Sequence, residues 1–83
     1  MNEKLFTVYV LQSLTDGSFY KGMTADIETR LEQHNAGRTK STKSKAPWKV
    51  IYTETFNSSD EARTREKYLK SAAGRRFLKK QLS

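Results

Sequence analysis

Glu66 puts a carboxylate where an apolar side chain is expected. Ala62, Leu69 and Ala73 stand four before, three after and seven after it, spacings that share one face of a helix. A charge on such a face is costly unless it is paired or bound to a cation. Two chemistries would satisfy it. One is a salt bridge to Lys70 or Arg63 at the helix edge. The other is one Mg²⁺ or Mn²⁺, since magnesium often takes a single protein carboxylate and keeps several waters. Tyr9 and Tyr20 can be core tyrosines with their hydroxyls tied off. Close to a cation, such a phenol can instead have its pKa pulled down and take a proton from water. Arg30 can pair with Asp26 four residues earlier, or bind a phosphate and offset charge developing in a transition state. His34 is the only histidine. It is four residues from Arg30, hence a neighbour on one helix face, and is either a packing residue or a proton carrier.

Positive charge surrounds these candidates unevenly. The net charge is +7. Residues 1–35 carry three bases and five acids, a net of −2, whereas residues 36–83 carry thirteen bases and four acids, a net of +9. The excess lies in one loop (Arg38, Lys40, Lys43, Lys45) and in the C-terminal region (Lys70, Arg75, Arg76, Lys79, Lys80), with Lys21 as an outlier. Such asymmetry favours a polyanionic partner, nucleic acid before an anionic membrane. These side chains would contact the phosphate backbone and position it without reading bases. A solvated basic face is the plain alternative.

Other classes fall away. With no cysteine there are no disulfides, zinc ribbons, iron–sulfur clusters or thiol nucleophiles. No apolar run approaches the ~20 residues of a membrane span, and the N-terminus lacks the pattern of a signal peptide, so a cytoplasmic location is expected. There is no phosphate-cradling glycine loop, no paired-histidine metal motif, no serine-nucleophile context and no acid cluster for a two-metal site. The 83 residues, 35% hydrophobic and 30% charged, are expected to form one domain over 1–83.

The elements that must hold the candidates can be read in order. Residues 4–12 (KLFTVYVLQ) are apolar on both alternating faces, as in a central strand covered on two sides. Asp16-Gly17 signals a hairpin and residues 18–23 the return strand. With that dipeptide as turn centre, Ser13 faces Tyr20, Tyr9 faces Thr24, and the two tyrosines share one face by parity. Thr24 or Asp26 caps a helix reaching about Asn35, with Ile27 and Leu31 inward and Gly37 as its stop. Residues 36–47 are a basic loop. Residues 48–56 are a third strand with Trp48, Val50 and Tyr52 alternating. Ser58 and Glu61 form a capping box for a helix running to about Ala72, breaking near Gly74 and resuming over Arg75–Leu82. The expected class is α+β, a three-stranded, mainly antiparallel sheet flanked by helices in the order ββα–loop–βαα.

The triplets Thr7-Val8-Tyr9 and Tyr20-Lys21-Gly22, followed in order by Arg30, His34 and Glu66 within Ala62-x-x-x-Glu66-x-x-x-Lys70, resemble the pattern of the GIY-YIG nucleases across nearly the whole chain. The likeness is greatest to short members and to the incision domain of the UvrC repair nuclease. The resemblance implies that both tyrosines, the arginine and the glutamate meet on one concave face. Glu66 would hold one divalent metal that carries the leaving 3′-oxygen. Tyr9 or Tyr20 would activate the attacking water, Arg30 would stabilise the five-coordinate phosphorus, and His34 would assist proton transfer. This chain departs from the pattern in three places. Thr7-Val8 replaces Gly-Ile, and Lys21 replaces the Ile of the second triplet. Met23 stands where some relatives carry a lysine that helps ionise the tyrosine, so His34 or Lys21 would have to take that role. Leu78 lies in the region where several relatives place an asparagine.

The resemblance makes the chain a DNA endonuclease or nickase, structure-selective or weakly specific, acting in repair or recombination as a monomer or weak dimer. DNA is expected before RNA. A catalytically weak nucleic-acid-binding module of the same fold is the alternative. A basic protein docking on RNA or on an acidic partner, with Glu66 merely structural, is a third.

Overall fold

The computed structural model describes residues 4–82. The elements run β1 (Phe6–Ser13), β2 (Phe19–Thr24), α1 (Ile27–Asn35), a short 3₁₀ turn (Lys43–Lys45), β3 (Trp48–Phe56), α2 (Ser59–Lys70) and α3 (Ala72–Leu82). The sheet is antiparallel in the order β2-β1-β3, so β1 is the central strand. Its two apolar faces serve two cores. Val8 and Val10 pack with Ala62 and Leu69 of α2 and Leu78 of α3. Tyr9 and Leu11 pack with Trp48, and with Tyr20, Ile27 and Leu31 from β2 and α1. This is the expected α+β arrangement, with α1 on one side of the sheet and the α2–α3 pair on the other.

The hairpin differs in register from the sequence expectation. Its connection is the four-residue loop Leu14–Gly17, closed where Ser13 N donates to Ser18 O at 2.8 Å. Asp16 does not form a two-residue turn. Its Oδ1 accepts from Ser18 N and Ser18 Oγ (2.9 and 2.7 Å), while Ser13 Oγ accepts from Thr15 N at 3.1 Å. These side-chain bonds supply the loop with partners that a tight turn would take from the backbone. Tyr9 therefore pairs with Gly22, and Tyr20 with Leu11. The shift is two residues, so parity is kept and the phenols share a face.

Two further expectations change. A bulge between Val10 and Leu11 pairs Val10 with Tyr52 but Leu11 with Val50. Trp48 and Val50 then face α1, while Tyr52 turns to the other side and meets the Phe77 ring edge-on (centroids 6.2 Å, interplanar 80°). The last helix breaks at Ser71, not near Gly74. Ser71 is extended (φ −79, ψ 169) and its Oγ accepts from Gly74 N at 3.2 Å, starting α3. Gly74 sits inside α3, where a Cβ would collide with the Tyr68 carbonyl and the Leu69 backbone. Glycine here allows α3 to fold back on the end of α2. Because the helix restarts, Ala73 leaves the stripe of Ala62 and Leu69 and is exposed.

The starts of α1 and α2 are both capped, the second by the serine half of the expected Ser58–Glu61 box. Asp26, not Thr24, caps α1, its side chain accepting from Thr29 N at 3.2 Å. Ser58 Oγ accepts from Glu61 N at 3.1 Å.

Candidate active site

Tyr9, Tyr20, Arg30 and His34 are brought together between the sheet and α1. The Tyr9 hydroxyl and His34 Nε2 are 3.0 Å apart, both buried. Tyr20 meets the His34 ring edge-on at 5.0 Å and lies 6.4 Å from the Tyr9 ring. The space that Tyr9 needs comes from Gly22, its cross-strand partner: a Cβ there would lie 2.5 Å from the phenol oxygen. Arg30 reaches the cluster from α1. Asp26 is occupied by Thr29, and the Arg30 guanidinium instead donates to Gln33 Oε1 at 3.0 Å while facing both phenols.

The charges shape one another. Burial pushes the Tyr9 phenol above its ordinary pKa, against the pull of Arg30 and with the help of Tyr20 and the Glu66 charge. Burial, then the Arg30 charge, holds His34 below the ordinary imidazole value. His34 is therefore neutral at pH 7 and able to accept a proton on one nitrogen. Contact with Tyr9 raises the pKa of Arg30, keeping a permanent cation against the phenols.

Glu66 comes from α2, yet its charge reaches Tyr9. Its side chain is only 17% exposed. Lys70 Nζ donates to its Oε2 at 3.3 Å, so the helix-edge salt bridge weighed from the sequence is formed. Lys70 is 54% exposed, and such a pair is weak enough to exchange for another cation.

The basic residues divide between two surfaces. Arg38, Lys40, Lys43 and Lys45 are exposed on the loop after α1, with Lys45 near Asp16 (3.6 Å). Lys21 points to the opposite face of β2 from Tyr20. There it lines a groove of about 510 Å³ with Phe19, Leu78, Leu82, Arg75 and Lys79. Burial, then the charges of Arg75 and Lys70, lowers its pKa. Of the two residues that could stand in for the lysine replaced by Met23, only His34 lies beside the phenols. Arg76 and Lys80 are exposed on α3.

Sequence reasoning missed three supports. Thr42, in the middle of the polar loop, is fully buried and its Oγ1 lies 2.7 Å from His34 Nδ1. Trp48 donates its indole N–H to the Thr42 carbonyl at 3.0 Å and borders Tyr20 (centroids 6.3 Å). Asn35 grips the Trp48 backbone, its Oδ1 accepting from Trp48 N (2.5 Å) and its Nδ2 donating to Trp48 O (3.1 Å). Nothing in a run of Thr, Lys and Ser marks one hydroxyl as buried. The one usable signal was the tryptophan beyond it, whose N–H needs an acceptor once buried.

Known proteins are similar to this chain in sequence and in fold. Residues 5–80 match the GIY-YIG catalytic domain. A UPF0213 protein of Streptococcus agalactiae is 42% identical over 64 residues, covering 76% of this chain and 72% of the relative. One from the archaeon Halobacterium salinarum is 41% identical over 64 residues, covering 76% and 82%. The solution NMR structure of a UPF0213 protein from Bacillus halodurans superposes with a TM-score of 0.57 at 31% identity, covering 93% of this chain and 84% of that one. Among the described residues, no helix is long and apolar enough to cross a membrane. The chain belongs to the GIY-YIG nuclease family, and its relatives are the UPF0213 proteins.

Proposed function

We propose that this chain is a divalent-metal-dependent phosphodiester hydrolase that nicks DNA, with structure-selective or weak sequence specificity, in repair or recombination. One observation carries the reading: two phenols, a guanidinium and a neutral imidazole come together in one cluster, within reach of the Glu66 charge. Family membership supports nucleic acid as the substrate.

The donor set suits a hydrated hard cation. Among the described residues no three His, Cys, Asp or Glu side chains form a cage, but magnesium and manganese can be held by one carboxylate and waters. Glu66, largely buried and held among the described residues by an exposed lysine, is the residue that would hold it. Once bound, the ion would supply Lewis-acid stabilisation to the phosphate and its leaving oxygen. The protein's own groups do the rest. Arg30 orients the phosphate and offsets its growing negative charge. Tyr20 or Tyr9 takes the proton of the attacking water. His34, neutral and bonded to Tyr9, receives and returns the phenol proton. The loop and α3 cations hold the backbone on either side.

The test is cleavage of supercoiled, branched and single-stranded substrates with Mg²⁺ or Mn²⁺. Glu66→Gln is expected to abolish cutting while leaving DNA affinity nearly intact. A second reading, a catalytically weak binding module, is favoured by the Glu66–Lys70 pair. Binding without cutting under every metal would select it. Binding insensitive to salt would reject both, because phosphate contacts release counterions.

A further inference from the structure

Hydrogen-bond bookkeeping in the buried pocket assigns a role to the loop. Among the described residues every buried side-chain nitrogen and oxygen has a partner, so each proton can be followed to its acceptor. The chain starts at the Thr39 carbonyl, which can only accept. Thr42 Oγ1 donates to it, over a long 3.4 Å. A hydroxyl has one proton, so with that proton on the Thr39 carbonyl the 2.7 Å contact between Thr42 Oγ1 and His34 Nδ1 is an Nδ1–H donating to the hydroxyl. A neutral imidazole carries one N–H, and His34 is kept neutral by burial and by Arg30. Its Nε2 is therefore a bare lone pair, and the 3.0 Å contact with Tyr9 is the phenol donating to it. The Tyr9 end agrees. Burial holds the phenol above its ordinary pKa despite the pull of Arg30, so it keeps the proton it donates.

We infer that Thr42 is a positioning residue that fixes His34 as its Nδ1–H tautomer, with Nε2 aimed at the Tyr9 hydroxyl. The role rests on the nuclease reading for its use in catalysis, but not for its existence. Thr42 touches no phosphate and no reacting atom; it acts through His34. Without its oxygen, Nδ1–H would have no acceptor in a buried site. The cheapest repair is the other tautomer, which leaves Nε2 unable to accept from Tyr9. Thr42 is itself held from both sides, by the turn at Thr39 (Thr42 N to Thr39 O, 3.1 Å) and by the Trp48 indole on its carbonyl (3.0 Å). The basic loop and the imidazole thus share one anchor.

His34 is the only histidine, so the imidazole ¹⁵N shifts of the labelled protein read the tautomer without assignment. In the wild type at pH 7.5, one nitrogen is expected as pyrrole-like Nδ1 and the other as unprotonated Nε2. Thr42→Val, of similar shape, should shift the ring toward Nε2–H. Thr42→Ser, which keeps the hydroxyl, should restore the wild-type spectrum. Cleavage should fall by about tenfold to a hundredfold in Thr42→Val and recover in Thr42→Ser, the range of a partly lost proton-transfer group. A wild-type spectrum showing Nε2–H, or a Thr42→Val spectrum unchanged from wild type, overturns the assignment. The expected spectra in a protein that cuts no substrate would uphold Thr42's role and overturn the nuclease reading instead.

Discussion

The Tyr9 phenol lies across Gly22, the residue that faces it on the neighbouring strand. The tyrosine of the first triplet and the glycine of the second are thus one structural unit: the strand pairing brings them opposite, and the missing Cβ lets the ring pass. Gly22→Ala would place a methyl 2.5 Å from the phenol oxygen and 2.7 Å from Cζ. The ring must then shift, and with it the hydroxyl that lies 3.0 Å from His34 Nε2. Overpacking of this kind costs about 1–3 kcal/mol, and a displacement of ~1 Å at a reacting group costs about a hundredfold in rate. Cleavage rate and melting temperature, measured together, check it. A variant that cuts at the wild-type rate would remove Tyr9 from the catalytic set.

Folding stability should fall as the pH drops below the ordinary histidine range. The folded-state pKa of His34 lies below its unfolded value, which is about 6.5. Above that value neither state is protonated and His34 contributes no slope. Below it the unfolded chain binds the proton first, so stability declines until the folded value is reached. Denaturant titrations at pH 7.5 and pH 5.5 should show the loss. His34→Gln should remove that part of the slope and leave the carboxylate contribution at lower pH.

Arg65 is a structural cation on the other side of the sheet from Tyr9 and Tyr20. It donates to Glu54 through Nε (2.7 Å) and Nη2 (3.0 Å), and stands 4.8 Å from both the Tyr68 and Phe77 ring centroids. A lysine cannot reproduce the fork or the stacking. Arg65→Lys should destabilise the fold by about 1 kcal/mol, read as a lower denaturation midpoint, with cleavage unchanged at temperatures where the protein stays folded.

Lys79 and Lys80 should act through the nucleic-acid backbone. Replacing both with Gln is expected to weaken binding evenly across sequences. The slope of log K against log salt should become shallower by about one per charge removed. Affinities at three salt concentrations are enough. A sequence-dependent loss would mean that these side chains touch bases.

The apolar residues on both faces of 6–11, interrupted by Thr7, located the central strand and both cores, because a strand buried on two sides needs apolar side chains at odd and even positions alike. Caps were legible because they are local: Asp26 and Ser58 each act on the amide three residues on. The misplaced details all depended on competition between local bonds. Ser13 and Asp16 side chains stabilised a longer loop than Asp-Gly implied. A bulge turned Tyr52 to the other face of the sheet, and a serine hydroxyl ended α2 three residues before the glycine. In the pocket, parity alone put Tyr9 beside Tyr20, and helical spacing put Arg30 near His34. Thr42, Asn35 and Trp48 stayed invisible as supports because their value lies in contacts made across the chain.

The loop after α1 separates two duties along one short stretch. Its buried hydroxyl holds the imidazole, while Arg38, Lys40, Lys43 and Lys45 point outward, and Asn35 pins the far end at Trp48. Those outward positions can therefore change in charge and size without disturbing the buried contacts underneath.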